Sequence, residues 1–328
     1  MHGGTFMQTT ETLQAQAGQE SVLALAPRRH HKMNRRKRNE YIMGWVFIAP
    51  LTIGFLLFTA VPLVLAIYYS FTSYDLFSPP QWIGLANFAE IFAGDTDWYM
   101  RSLLNALIYT IGVPLGAAIS LVIAAMLCNI SRGSTVLRMI FYIPTICGSV
   151  AITFIWQWMF ASHYGILWEF LESLGFQLTN SFGFLDEERF MASMIFMGLW
   201  SGVGGSLLLF YSSLQNISHD LYDAAALDGA NGFQKFWHIT MPGVSPVLFY
   251  VLLTGIVGSF QAFTQFQVMT GDVISKYSVM PVWWIYRYIT GEWGYRYGLA
   301  SAMGLLLGLI LIVISAVQFI VSKYWVKY

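Results

Sequence analysis

The residues that could carry covalent chemistry in this 328-residue chain are scattered. His163, His219 and His238 stand alone, with neither metal-ligand spacing nor a paired nucleophile, so catalysis and zinc binding have no constellation to rest on. Cys128 and Cys147 both lie in apolar stretches, where a free cysteine acts as a small hydrophobe; no metal or disulfide role is indicated. A Gly-x-x-x-x-Gly-Lys-Ser/Thr phosphate cradle is missing, and no Gly-Lys pair occurs anywhere. What remains is the chemistry of recognition, and it concentrates in two runs, 217–243 and 258–267.

The first run reads as a folded element, with Ser218 placed to cap a helix whose first turn carries Asp220 beside the exposed amides and positive dipole end. Ala224 to Leu227 are strong helix formers, and Asp228-Gly229 supplies a turn in which glycine tolerates positive φ. A second short helix is predicted from about Gly232 to Thr240, presenting Phe233, Phe236, Trp237 and Ile239 before Pro242 breaks the chain into the next segment. The physics alone leaves two readings open, a connecting hairpin and a docking element.

The second run, Gly258-Ser259-Phe260-Gln261-Ala262-Phe263-Thr264-Gln265-Phe266-Gln267, mixes amide and aromatic side chains inside an apolar stretch. Buried amides need partners, either on neighbouring helices or in a water-filled cavity. Amides beside aromatic faces suit hydroxyl-rich, ring-shaped solutes, which makes Ser259, Gln261, Phe263, Thr264, Gln265 and Gln267 candidate path-lining residues. Gln157, Trp156, Trp200 and Tyr211 join them as weaker candidates. The aromatics Trp283, Trp284, Tyr286, Tyr288, Trp293 and Tyr295 fit a cavity entrance, a protein contact or an interfacial belt. Gly202-Val203-Gly204-Gly205 is read as a site of close helix packing.

The elements that must position these residues follow from composition. A chain that is 56% hydrophobic and only 10% charged cannot hide its apolar surface in a water-soluble core, so the bilayer is its natural solvent. A spanning helix needs about 20 mostly apolar residues. Six stretches qualify: 42–70, 103–128, 136–160, 190–214, 244–268 and 297–322. The expected fold is an all-α membrane protein of six transmembrane helices over 41–328, preceded by a polar, basic segment, 1–40, without the features of a cleaved signal. The apolar stretch 278–289 is too short to cross unaided and is expected to be interfacial or re-entrant.

Basic residues orient the spans, because Lys and Arg in short flanking loops stay inside. Arg28 to Arg38, Arg132, Arg138, Lys235, Lys323 and Lys327 fall on one side, which places both termini and the 217–243 loop in the cytoplasm. Equal numbers of basic and acidic residues, 17 each, give no global excess that would recommend nucleic acid. The spans hold almost no ionisable groups, which disfavours an ion-coupled secondary carrier, the alternative reading.

The 217–243 run resembles the signature loop of binding-protein-dependent ABC importer permeases, with Asp223-Ala224-Ala225 in the Glu-Ala-Ala place, Gly229 in the glycine place and Ile239-Thr240-Met241-Pro242 closing it. Aspartate for glutamate at 223 is the departure. The likeness runs from Tyr41 onward and is strongest to maltose and glycerol-phosphate type permeases, through Trp45 to Pro50, Ser70-Phe71-Thr72, Gly84 to Phe88, Leu137-Arg138 and Tyr297 to Ala302. It implies a type I importer permease in the bacterial inner membrane, taking up an oligosaccharide, uronate oligomer or polyol phosphate; an importer for a non-sugar solute is the alternative within the family. It also implies a second permease subunit, two ATP-binding subunits that hold the ATP and magnesium, and a solute-binding protein. Asp223, Ala224, Ala225, Asp228, Gly229, Phe233, Phe236, Ile239 and Pro242 would then form the coupling helix loop, and this chain would bind no cofactor and no metal.

Overall fold

The structure is a computed structural model that describes residues 35–94, 98–130, 132–176, 183–271, 275–291 and 294–327. Most of the basic N-terminal segment, together with Asp95, Asp97, Asp272, Glu292 and Trp293, lies outside the described residues. The chain divides into two compact units at Pro62/Leu63. The first contains helix α1 (Arg35–Phe55) and a π-turn, Leu56–Ala60. From Tyr41 onward its side chains are mostly apolar, and Trp45, Phe47 and Phe58 are 70, 79 and 82% exposed. Lipid or another apolar chain must cover so long a run.

Helix α2 (Val61–Ser70) leads into the second unit and a two-stranded hairpin, β1 (Thr72–Ser73) antiparallel to β2 (Gln81–Trp82). Then follow α3 (Ala86–Ala93), α4 (Tyr99–Tyr109), α5 (Gly112–Cys128), α6 (Ser134–Ile146), α7 (Ser149–Met159), α8 (Ile166–Ser173), α9 (Phe190–Gln215), α10 (His219–Leu227), α11 (Gly232–Lys235), a second π-turn (Phe236–Thr240), α12 (Met241–Phe260), α13 (Thr264–Thr270), α14 (Pro281–Thr290) and α15 (Tyr297–Trp325). Among the described residues, five helical runs are long and apolar enough to cross a membrane: Tyr41–Ser70, Tyr99–Cys128, Phe190–Gln215, Gly232–Phe260 and Tyr297–Trp325.

Three local expectations change. The stretch 136–160 is two helices, α6 and α7, meeting at 98°, rather than one straight span. Pro144 removes an amide donor just before the corner, and Cys147 and Gly148 are extended, a backbone choice that apolarity does not reveal. The stretch 244–268 is likewise interrupted: α12 ends at Phe260 and α13 starts at Thr264. Pro242, finally, does not break the chain, because helix runs from Gly232 to Phe260.

A single device explains how proline is tolerated in two places. Each π-turn is followed by one residue and then a proline, Val61-Pro62 and Met241-Pro242. Proline lacks the N–H and its ring clashes with the carbonyl one turn back. Widening that turn by one residue removes the clash, with the Val61 N–H bonded to the Leu56 carbonyl and the Met241 N–H to that of Phe236.

The second unit holds two apolar cores. One gathers Tyr99, Trp156, Met194, Phe266, Trp284 and Met303. The other gathers Ala117, Leu121, Leu207, Phe210 and Val244, with Phe236 and Ile217 of the hairpin segment packed on it. Helix α14 belongs to the first core: Trp283, Trp284 and Tyr288 are buried among helices, so these three do not form a belt at a lipid interface. Buried polar pins hold the loops around this core. The Asn87 amide donates to the carbonyls of Ser70 and Thr72, both at 2.9 Å, and the Asn105 amide donates to those of Lys276 and Val279. Arg296 grips Glu90 with two nitrogens at 2.6 and 2.5 Å, tying α3 to the start of α15.

Candidate functional site

Two features of the second unit can bind something. The first is the hairpin of α10 and α11. Ser218 caps α10, its hydroxyl accepting from the Asp220 amide at 3.3 Å. The helix ends in a Schellman arrangement, with the Ala230 N–H on the Ala225 carbonyl at 2.9 Å and the Gly229 N–H on that of Ala226 at 3.1 Å. This requires φ of +78° at Gly229, which is why glycine stands there. Asn231 and Gln234 then form a reciprocal capping box, each side chain bonded to the other's amide at 2.9 Å. Sequence reasoning missed that box, although Asn-x-x-Gln is its signature. Across the hairpin the Tyr222 and Thr240 hydroxyls meet at 2.9 Å.

The residues singled out for coupling separate into three groups. Asp223, Ala224, Asp228, Gly229 and Phe233 are exposed, and Phe233 is joined by Leu227, 90% exposed, and by Trp237, 50% exposed. Ala225, Asp228, Gly229 and Ile239 line a pocket of about 360 Å³ between the two helices, with Gln234, Lys235 and His238. Phe236 packs inward on the second core, and half-buried Pro242 begins the long helix. The hairpin thus exposes an apolar crest on a hydrogen-bonded frame.

The second feature is a chamber of about 710 Å³, walled by α4, α5, α6, α9, α12 and α13. Along α9 and α12 it lies between the residues of the two cores, at mid-height in the helices. Glycines line it, Gly112 and Gly116 on α5, Gly198, Gly202 and Gly205 on α9, Gly255 and Gly258 on α12; Gly198 and Gly255 are close approaches to Tyr109 and Val113, whereas Gly202 and Gly258 border open space. The hydroxyl-bearing residues Tyr109, Tyr142, Thr145, Ser206, Tyr250, Thr254 and Ser259 contribute to its lining, with the Gln265 amide set against the Tyr109 hydroxyl and Tyr250 55% exposed. Ser259 also meets Thr110 at 2.6 Å, bridging α12 to the junction of α4 and α5.

Of the predicted path residues, Ser259 and Gln265 line the chamber. The others do not. Trp200 sets its ring edge-on to Trp156 at 5.5 Å and is half exposed. Tyr211 is buried in the second core, with the Arg138 guanidinium 4.1 Å over its ring and the Gln215 amide donating to its hydroxyl. Gln261 is exposed at the end of α12, Phe263 leans on Tyr286 at 5.1 Å, and Gln157, Thr264 and Gln267 are half-buried elsewhere. The break at 261–263 scatters the amides that a single helix would have aligned. Tyr109, Tyr142, Ser206, Tyr250 and Thr254 were missed. The usable signal was glycine at three- and four-residue spacing on three helices, which clears one face of each.

The glycines near 204 have different tasks. A Cβ on Gly204 would collide with the Phe141 carbonyl of α6, whereas one on Gly202 would meet no atom within 4 Å. Close packing therefore belongs to Gly204, and Gly202 keeps the chamber open.

Apolar spans around a chamber lined by glycines and hydroxyl-bearing residues, with a helical hairpin that exposes apolar side chains, fit a membrane transport component. Residues 112–327 match the family described as the binding-protein-dependent transport system inner membrane component. The chain belongs to that family, the permeases of ABC importers. It is 34% identical over 299 residues to the probable ABC transporter permease protein YesP of Bacillus subtilis strain 168, covering 90% of this chain and 96% of that one. It is 26% identical over 289 residues, 87% of this chain and 96% of the other, to the sn-glycerol-3-phosphate transport system permease protein UgpA of Escherichia coli strain UTI89. Among solved structures, a bacterial ABC transporter involved in import of the acidic polysaccharide alginate matches with TM-score 0.75 at 21% identity, over 89% of this chain and all of that one. A second, the alginate transporter in complex with a periplasmic protein bound to alginate pentasaccharide, matches with TM-score 0.74 at 18% identity, over 86% and 93%.

Proposed function

We propose that this chain forms one half of the translocation path of an ATP-driven carbohydrate importer. A solute-binding protein delivers the sugar, a second permease subunit completes the path, and two separate ATPase subunits seat on the 217–243 hairpin. Both termini and the hairpin then face the cytoplasm, and this chain itself holds neither nucleotide nor metal. The carbohydrate assignment draws on relatives and neighbours named for glycerol phosphate and alginate, and on a chamber rich in hydroxyls and aromatic faces. The partner set follows from the family and from the periplasmic protein in the alginate complex.

One observation carries the coupling role. The hairpin's second arm is the same helix, Gly232–Phe260, that walls the chamber with Tyr250, Thr254, Gly255 and Gly258. A push on the exposed crest of Leu227, Phe233 and Trp237 is transmitted along a hydrogen-bonded rod to the chamber wall. The π-turn at Phe236–Thr240, beside Pro242, is the point at which that rod can bend.

Gly229 tests the assignment, because its φ of +78° excludes β-branched side chains while the space around it is open. Gly229→Val costs about 1–2 kcal/mol of local backbone strain and unseats the turn; Gly229→Asn tolerates the left-handed conformation. In the reconstituted transporter, the valine variant is expected to lose sugar-stimulated ATP hydrolysis and the asparagine variant to retain most of it. Full coupling in Gly229→Val, or sugar uptake by this chain without ATP, refutes the reading.

A further inference from the structure

We infer that the 710 Å³ chamber is a binding compartment for uncharged, polyhydroxylated solute, and that the sugar crossing this half of the path carries no carboxylate or phosphate. The inference rests on the carbohydrate-importer reading and narrows it. UgpA is named for a phosphate ester and the alginate neighbour for an acidic polymer, so the conclusion does not follow from resemblance.

Volume comes first. The chamber falls in the size class of small-molecule sites, roughly 300–1,000 Å³, and two of its lining glycines border open space. At Gly202 and Gly258 even a Cβ would meet no atom within 4 Å. These two positions, on α9 and α12, leave vacant volume where any larger residue would fill it.

Polarity comes second. Thr254 and Ser259 spend their hydroxyl protons within their own helix on the carbonyls of Tyr250 and Ile256, and Thr145 donates to that of Ser201. The hydroxyls of Tyr142, Ser206 and Tyr250 make no hydrogen bond to another described residue. Three free hydroxyls on three different helices, with the Gln265 amide opposite, can donate to and accept from a ring of hydroxyl groups.

Charge decides the class of ligand. Among the described residues, no Lys, Arg, His, Asp or Glu lines the chamber. The cation of α6, Arg138, is one turn from Tyr142 but held over the Tyr211 ring at 4.1 Å and bonded to Ser134 and Thr135. An anion entering this space would give up its hydration without a counter-charge, which costs several kcal/mol even after relaxation. A neutral polyol exchanges water hydrogen bonds for phenol, hydroxyl and amide ones at little cost.

The test uses the whole assembled transporter, without its solute-binding protein, in equilibrium dialysis. The radiolabelled probes are neutral di- and trisaccharides, uronate oligomers of the same ring number and glycerol phosphate. Gly258→Leu and Gly202→Leu fill the chamber from opposite walls, and each variant is first checked for assembly and melting temperature. Retention of neutral sugars alone, weakened roughly tenfold or more by either filling variant, is the expected result. Equal or better retention of an acidic probe, retention of no probe, or retention unaffected by both well-assembled variants overturns the inference. ATP-driven uptake of any carbohydrate is measured in parallel. Uptake of an acidic sugar leaves the importer reading standing while the chamber inference falls, and absence of all sugar uptake removes the importer reading itself.

Discussion

Gly202 and Gly204 are two residues apart on α9, yet the same substitution should have opposite effects on stability. A Cβ at Gly204 would overlap the Phe141 carbonyl oxygen of α6 and lie 2.8 Å from the Thr145 hydroxyl. A carbonyl cannot rotate away as a flexible side chain can, so α6 and α9 must separate. Overpacking of this kind costs about 1–3 kcal/mol. The Thr145 to Ser201 hydrogen bond, already long at 3.3 Å, goes with it, adding about 0.5–1.5 kcal/mol. Gly204→Ala should therefore destabilise by roughly 2–4 kcal/mol. Gly202→Ala meets nothing and removes a flexible residue from a helix interior, worth about 0.5–1 kcal/mol of stabilisation. Thermal unfolding of the purified transporter, followed by size-exclusion recovery after heating, should place the two variants well apart with wild type between them. Equal melting, or Gly204→Ala as the more stable protein, would refute the close-approach argument.

Other perturbations probe the termini of the helices. Asn231→Ala removes the capping box of α11 and should weaken that turn by about 1 kcal/mol, read as faster amide exchange at Gly232 to Lys235 with α10 unchanged. Asp75 accepts from the Ser78 amide at 2.7 Å and from the Ser78 hydroxyl and Phe77 amide, and these bonds hold its carboxyl below the usual range. A depressed acid stabilises above its unfolded pKa and loses that contribution as pH falls through the lower folded value. The turn should keep its Ser78 amide resonance down to about pH 4 and lose it only under stronger acid. Arg296→Lys replaces the two-pronged grip on Glu90 with a point charge and, at a half-exposed site, should cost about 0.2–1 kcal/mol. Most of that difference should vanish in high salt when melting curves are compared.

Much of this molecule was legible in local order. Apolar runs of spanning length mark 42–70, 190–214 and 297–322, where helices indeed stand, and Ser218 and Gly229 announce the start and stop of α10 through bonds made within a few residues. Caps, turns and the need of a long apolar run for an apolar medium are properties of neighbours along the chain, so the residues themselves determine them. Tertiary structure decided the rest. The 98° corner between α6 and α7, the interruption at 261–263 and the π-turn that carries helix through Pro242 are backbone choices that the apolar pattern does not reveal. The chamber depends on it most, since glycines, hydroxyl-bearing residues and one amide from six helices meet there only after packing brings those helices together. Amide-rich composition pointed to 258–267, of which Ser259 and Gln265 line the chamber, while Tyr142, Ser206 and Tyr250 became chamber residues because a cavity belongs to the faces that enclose it and to no single segment.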